Sequence, residues 1–289
     1  MNEKKDTFST FHPVINFTFY IGAFLLGMML IHPIFLAVSA ITAAAFYITV
    51  KGRKAKSFLF GMIPLFLMLS FINPLFNTYG DRVLFTWWNG RPYTLEALAY
   101  GTSLAAMVVT ILLWFASYSF VMTSDKFLYL FGKAAPSVSL VLTMILRLLP
   151  NYEKKIAQIG NARKSIGMSA ENGTTKEKAE HGLTIVSAMT SWALEGGIIM
   201  ADSMRSRGFG TGKRTTFSLY RFEKRDKILL AIMAGCIMGG SSAQYTPEFL
   251  VAMSPYTVVG AVAYGAFLAL PTAVNITEEI IWYILRSKI

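Results

Sequence analysis

Charged side chains are scarce in these 289 residues, at 15%, against 54% hydrophobic and 14% aromatic. A soluble domain of that composition would lack polar groups to cover its surface, so the scarcity points to an integral membrane protein. Cysteine is nearly absent. Cys236 stands alone in an apolar run, which excludes an intrachain disulfide and any cysteine metal cluster and suits core packing. The three histidines, His12, His32 and His181, are too scattered for a metal or catalytic constellation, so no cofactor or metal is expected. Acid is the short side of the charge, with 16 Asp+Glu against 27 Lys+Arg and a net charge of +11. Between apolar runs, such an excess reads as cytoplasmic loops under the positive-inside rule rather than as a nucleic-acid surface. The opening MNEKKDTFSTFHPV has no short apolar core followed by a cleavage site, and no cleaved signal peptide is expected.

What is present is a series of long apolar runs. Residues 14–50 carry no Asp, Glu, Lys or Arg, yet they are too long for one span at about 1.5 Å per residue. Proline disfavours helical backbone in the residue before it, so His32-Pro33 predicts two helices, Val14–Ile31 and Ile34–Val50. The small residues of AVSAITAAAF in the second suit close helix approach. The basic KGRKAK follows. A third run covers Ser57–Ile72, and a fourth Leu95–Met122. Between them RVLFTWWNGRPYT, with Asn89-Gly90, carries a hairpin signal near 83–94, and Trp87, Trp88 and Tyr93 suit the membrane interface. Ile228–Ser242 and Tyr256–Tyr283 complete six crossings. That parity leaves both termini, KGRKAK and residues 123–227 in the cytoplasm, with little charge in the outer loops beyond Arg82 and Arg91.

The expected fold is therefore an all-α integral membrane protein of about six transmembrane helices, with a cytoplasmic helical domain inserted between spans four and five. Its divisions are an N-terminal membrane domain at 1–122, the insert at 123–227, and C-terminal transmembrane helices at 228–289. Arg147 to Lys227 alone holds fifteen of the 27 Lys+Arg. Within it, Ser137–Leu149 is apolar but short for a span, and Pro150 is expected to open a new helix, NYEKKIAQIGNARKSIG. A polar stretch, SAENGTTKEKAEHG, precedes a second helix that ends at SMRSRGFGTGKRTTF.

That last stretch tests as a nucleotide loop and fails. A P-loop needs G-x-x-x-x-G-K-[ST], but counting from Gly212-Lys213 puts Arg207 at the first glycine and Arg214 at the hydroxyl, with Thr215 one place late. Gly208, Gly210 and Gly212 also miss the dinucleotide spacing, and an apolar-periodic helix precedes them where a strand is required. A helix C-terminus closed by glycine accounts for Gly208 but not for the arginines.

Those arginines fall on apolar stripes. Ile156, Ile159, Arg163 and Ile166 share a face at helical spacing, and so do Met200, Met204 and Arg207. Snorkelling to lipid headgroups is one reading. The other is an amphipathic helix laid in a partner's groove, with arginine as a directional ion-pair anchor.

The tripeptides Ala162-Arg163-Lys164 and Ser206-Arg207-Gly208 resemble the coupling motifs of the transmembrane T component of energy-coupling factor (ECF) transporters, the EcfT/CbiQ-like family. FINPLF at 71–76, TLEALAYG at 94–101, SLVLTMILRLLPNYEKKIAQIGNARKSIG at 139–167 and ALEGGIIMADSMRSRGFGTGKRT match in order, and the resemblance covers about residues 14–240. The first tripeptide has lysine where glycine is common, and two C-terminal spans stand where many members have one. The resemblance implies a scaffold, not an enzyme, in the cell membrane. It would couple two ABC-type ATPase subunits, a homo- or heterodimer, to a membrane S component for uptake of a vitamin or metal ion. Arg163 and Arg207 would dock into the two ATPases, with Ala162, Lys164, Ser206 and Gly208 lining the contacts. No cofactor is implied. A self-sufficient secondary transporter and a membrane-embedded enzyme are the alternatives. The first would show an internal repeat, which the sequence lacks, and the second converging ionisable groups within the spans.

Overall fold

The computed structural model describes residues 6–77, 80–86, 92–132, 134–168, 174–212, 220–241 and 255–286. Nine α-helices and one two-stranded hairpin occur among the described residues. They are α1 (Pro13–Met29), α2 (Pro33–Lys51), α3 (Ala55–Phe76), β1 (Val83–Thr86), β2 (Pro92–Thr94), α4 (Leu95–Val121), α5 (Ser124–Gly132), α6 (Pro136–Ser165), α7 (Thr175–Ser206), α8 (Lys224–Ser241) and α9 (Pro255–Arg286). The chain forms two compact units, Met1–Phe127 with Tyr220–Ile289, and Leu128–Leu219.

In the first unit, two histidine–proline pairs set the helix starts. His12 and His32 are N-caps whose Nδ1 atoms accept from the amides of Val14 at 3.3 Å and Ile34 at 3.4 Å. The prolines that follow have no N–H to leave unsatisfied, so they suit the first helical turn. The break anticipated at His32-Pro33 is therefore a capped helix start. α2 and α3 are joined by a single 3-10 turn, Gly52–Lys54, entered through Gly52 at φ +59°.

Lipid does not drive helices together by the hydrophobic effect, so close packing and buried polar contacts must do so. The core is accordingly aromatic and tight. Trp114 of α4 lies edge-on to Phe19 of α1 at 5.4 Å and stacks on Phe46 of α2 at 6.1 Å. Its Nε1–H donates to Ser39 Oγ at 3.2 Å. Phe267 of α9 closes on Phe19 at 5.1 Å. Where α4 crosses α3, a Cβ on Gly101 would stand 2.9 Å from the Ser70 carbonyl oxygen and 3.1 Å from Asn73 Cβ. Only glycine lets the two backbones meet there.

The outside of this unit is apolar. Phe60 of α3 is 75% exposed, and Leu67, Phe71, Phe115 and Ile281 also face outward. Exposed apolar belts around an aromatic core are what lipid-facing helices present. By length and composition α2, α3, α4, α7 and the Val258–Arg286 part of α9 are able to cross a membrane, while α1 is shorter. This set differs from the six expected crossings in including α7 and omitting α1 and α8. Proline interrupts neither α3 (Pro64, Pro74) nor α9 (Pro271), as membrane helices tolerate it better than soluble ones do.

The hairpin flanks pair antiparallel, Val83 with Thr94, Phe85 with Tyr93 and Thr86 with Pro92. Phe85 and Tyr93 stack at 4.7 Å. The Asn89-Gly90 turn and Trp87, Trp88 and Arg91 lie outside the described residues. Thr94 then caps α4 by accepting from the Ala97 amide at 3.3 Å.

At the end of the bundle where α1 and α8 begin and α4 ends, the N-terminal segment is held inside by a polar cluster. Asn275 of α9 accepts from the Phe8 amide at 2.9 Å and donates to Asp6 at 2.7 Å. Lys126 of α5, only 6% exposed, donates to the carbonyls of Ser9 and of Val121, the latter at 2.7 Å. With its amide turned to match donors with acceptors, Asn16 donates to the Phe8 carbonyl at 3.0 Å and accepts from Lys126 at 3.1 Å. Burial pushes the Lys126 ammonium down to about 8, a fall that the Asp6 carboxylate partly opposes. Burial raises Asp6 in turn, against its hydrogen bonds to Asn275 and Phe8 and the Lys126 charge. Beside this cluster, Arg225 lies over the Phe11 ring at 5.0 Å and His12 packs on Phe222 at 4.7 Å. None of this cluster was anticipated. Its sequence signals are two asparagines, Asn16 and Asn275, each inside an apolar run without charge.

Candidate functional site

The second unit is built on α6 and α7. α6 starts at Pro136 and runs unbroken for 30 residues with Pro150 inside it. The expected new helix at Pro150 is therefore corrected, as is the separate apolar segment Ser137–Leu149. Proline costs an internal hydrogen bond, but its φ is helical, and the apolar and basic halves on either side both favour continuing. α7 starts with a reciprocal capping box. The Thr174 amide donates to Glu177 Oε2 at 2.8 Å, and the Glu177 amide donates to Thr174 Oγ1 at 3.4 Å.

The two helices lie antiparallel. Tyr152 of α6 meets Trp192 of α7 edge-on at 5.5 Å, and Lys155 stands 5.3 Å over the same indole. Eleven positions further along α6 and eleven back along α7, Arg163 Nη2 reaches His181 Nδ1 at 3.1 Å. The half-buried face of α6 is thus Tyr152, Lys155, Ile159 and Arg163, at helical spacing. Ile156 is turned out of that face and, with Tyr152, Ile185, Met189 and Leu194, lines an open apolar cavity of about 450 Å³.

Neither α6 nor α7 has a buried residue. Leu183 is 70% exposed, and Val186, Ile198, Val141 and Ile145 also stand open. Helices that bury so little of an apolar surface are built to pack on something else.

Both helices end in the same way. After α6, Gly167 has φ +79°, its N–H donates to the Lys164 carbonyl at 3.1 Å, and the Met168 N–H reaches back to the Arg163 carbonyl at 3.0 Å. After α7, Gly208 has φ +78°, with Gly208 N–H to Arg205 O at 3.0 Å and Phe209 N–H to Met204 O at 3.0 Å. These are two Schellman caps, each with a left-handed glycine and an apolar residue after it. Superposed on their glycines, Lys164-Ser165-Ile166-Gly167-Met168 and Arg205-Ser206-Arg207-Gly208-Phe209 are parallel sequences. The two arginines singled out by the sequence are consequently not equivalent. Arg163 lies inside the last turn of α6, whereas Arg207 is the residue between α7 and its glycine.

Two expected faces are corrected by these caps. Ile166 lies beyond the end of α6, 67% exposed, and shares no helical face with Ile156 and Ile159. Met200 and Met204 are half-buried on α7, but Arg207 is exposed past its end. In each case the cap turns the chain out of the helical period. Ala162, Lys164 and Ser206 are exposed, and Gly208 is half-exposed. Beyond the cap, the Thr211 amide and hydroxyl both donate to the Gly208 carbonyl, at 3.2 and 2.7 Å. A helix end and a turn thus occupy the described part of the glycine-rich stretch. Lys213, Arg214 and Thr215 lie outside the described residues.

No family model matches the chain. The energy-coupling factor transporter transmembrane protein EcfT of Lactobacillus helveticus is 27% identical over 233 residues, covering 73% of this chain and 82% of that protein. The protein of the same name from Leuconostoc gelidum subsp. gasicomitatum is 28% identical over 108 residues, 37% of this chain and 40% of its own length. With its apolar, outward-facing helices, the chain is a multi-pass membrane protein, and by sequence it is similar to these transmembrane components of energy-coupling factor transporters.

Proposed function

We propose that the chain is the scaffold through which a pair of ABC-type ATPases drives a substrate-capturing membrane S component in uptake of a vitamin or metal ion. One observation carries this reading. Two long helices, α6 and α7, expose apolar faces along their length and end in matching glycine caps that hold basic residues at their tips. Such a pair offers an apolar surface to a membrane partner and two compact cationic ends to soluble ones. Arg163 and Arg207 are the anchors in this reading, one in each ATPase groove, with Ala162, Lys164, Ser206 and Gly208 beside them. The chain lies in the cell membrane with both termini and the α6–α7 unit in the cytoplasm, and α7 packs on protein rather than crossing the bilayer. The mid-helix charge of Glu195 and the charged first turns of α7 favour that placement.

The test is a reconstituted complex. Arg163→Ala with Arg207→Ala is expected to abolish ATP-driven uptake and reduce co-purification of the ATPases, while Lys213→Ala leaves both near normal. Each truncation of a desolvated pair typically costs about 2–5 kcal/mol, at least a tenfold loss of binding. Normal uptake by the double variant would refute the reading. Labelling of a cysteine at position 172, in a Cys236→Ser background, from the outside of intact cells would refute the topology.

A further inference from the structure

The two arginines are held differently. Arg207 stands exposed beyond the last turn of α7. Arg163 is half-buried, with Nη2 3.1 Å from His181 Nδ1 and its Nε buried without an acceptor among the described residues. His181 lies in the second turn of α7, behind the capping box that fixes the start of that helix. Because α6 and α7 run antiparallel, this contact brings Arg163 to one end of α7 while Arg207 occupies the other. His181 and Ser206 are on the order of 38 Å apart along the axis at about 1.5 Å per residue.

We propose that His181 is a positioning residue for Arg163. It accepts one guanidinium N–H and sets the direction in which the rest of the fork faces a docking ATPase. Both anchors then belong to the two ends of one helix, Arg207 through the chain and Arg163 through the imidazole. This rests on the reading of Arg163 as an ATPase anchor. The physical gain is preorganisation. A free arginine loses rotamer freedom when it is fixed in a complex, and a side chain already fixed in the unbound protein loses less. The buried Nε–H fits an arginine still short of one acceptor, since a donor left buried and unmatched is unfavourable until a partner supplies oxygen. The contact also fixes the tautomer. Nδ1 must carry the lone pair, so the ring proton sits on Nε2.

The test uses the full chain co-expressed with its ABC-type ATPase pair, reading the ATPase dissociation constant and the thermal melting of the chain alone. Asn places Oδ1 the same number of bonds from the backbone as Nδ1, so His181→Asn keeps an acceptor, whereas His181→Leu removes it. The expected result is a three- to tenfold loss of binding for His181→Leu, near-normal binding for His181→Asn, and no further loss when His181→Leu is added to Arg163→Ala. If His181→Leu binds like the wild type while Arg163→Ala loses tenfold, positioning is wrong and the anchor stands. If His181→Asn and His181→Leu are equally impaired and both melt early, the histidine is only structural and the proposal falls. Normal binding by Arg163→Ala overturns the anchor and this inference with it.

Discussion

Replacing Lys126 with methionine tests whether the N-terminal segment is truly built into the membrane bundle. Methionine keeps the length and apolar stem but removes the ammonium that bonds the carbonyls of Ser9 and Val121 and the Asn16 amide oxygen. Hydrogen bonds to a charged group contribute about 1.5–3 kcal/mol each, and three of them are not independent. Breaking a buried charged cluster by removing one partner costs about 3–5 kcal/mol, because the remaining polar groups stay buried without a match. That is the expected loss for Lys126→Met. It should appear as a lower melting temperature in detergent and as early proteolysis before Pro13. The pH dependence supplies a second readout. Burial holds Lys126 at about 8 in the folded protein, below the value of about 10.4 for a free lysine, so between those values the unfolded chain binds more protons. Stability of the wild type is therefore expected to rise with pH through that window, and the methionine variant should lose that slope. A variant that melts with the wild type and keeps the same slope would show that the lysine is not held in this cluster.

Other perturbations are direct. Gly101→Val should separate α3 from α4, since even its Cβ would fall 2.9 Å from the Ser70 carbonyl oxygen, and the purified protein should melt lower and aggregate more. Gly208→Ala places a side chain at φ +78°, and left-handed backbone costs roughly 1–2 kcal/mol for a residue with Cβ. Faster amide exchange in the last turn of α7, with α6 unchanged, is the signature to seek, and unchanged exchange would count against the cap.

Much of the local structure could be read from the sequence because its signals are local. Proline disfavours helical backbone in the residue before it and suits the first helical turn, so α1 and α2 separate where His32-Pro33 stands. The glycine after Arg207 and the one after Ile166 each close a helix because only glycine is at ease at positive φ, and that requires no knowledge of the rest of the fold. Apolar length without charge likewise announces lipid-facing helices. Tertiary structure decided what depends on distant neighbours. The side of α6 on which Arg163 finds a partner was set by His181, on another helix. Asp6 and Asn275 meet across 269 positions, and Lys126 reaches Ser9 across 117. Helical periodicity reports which residues share a face, but the partner of a buried polar group is chosen by how the helices pack, and a periodic pattern carries no record of that.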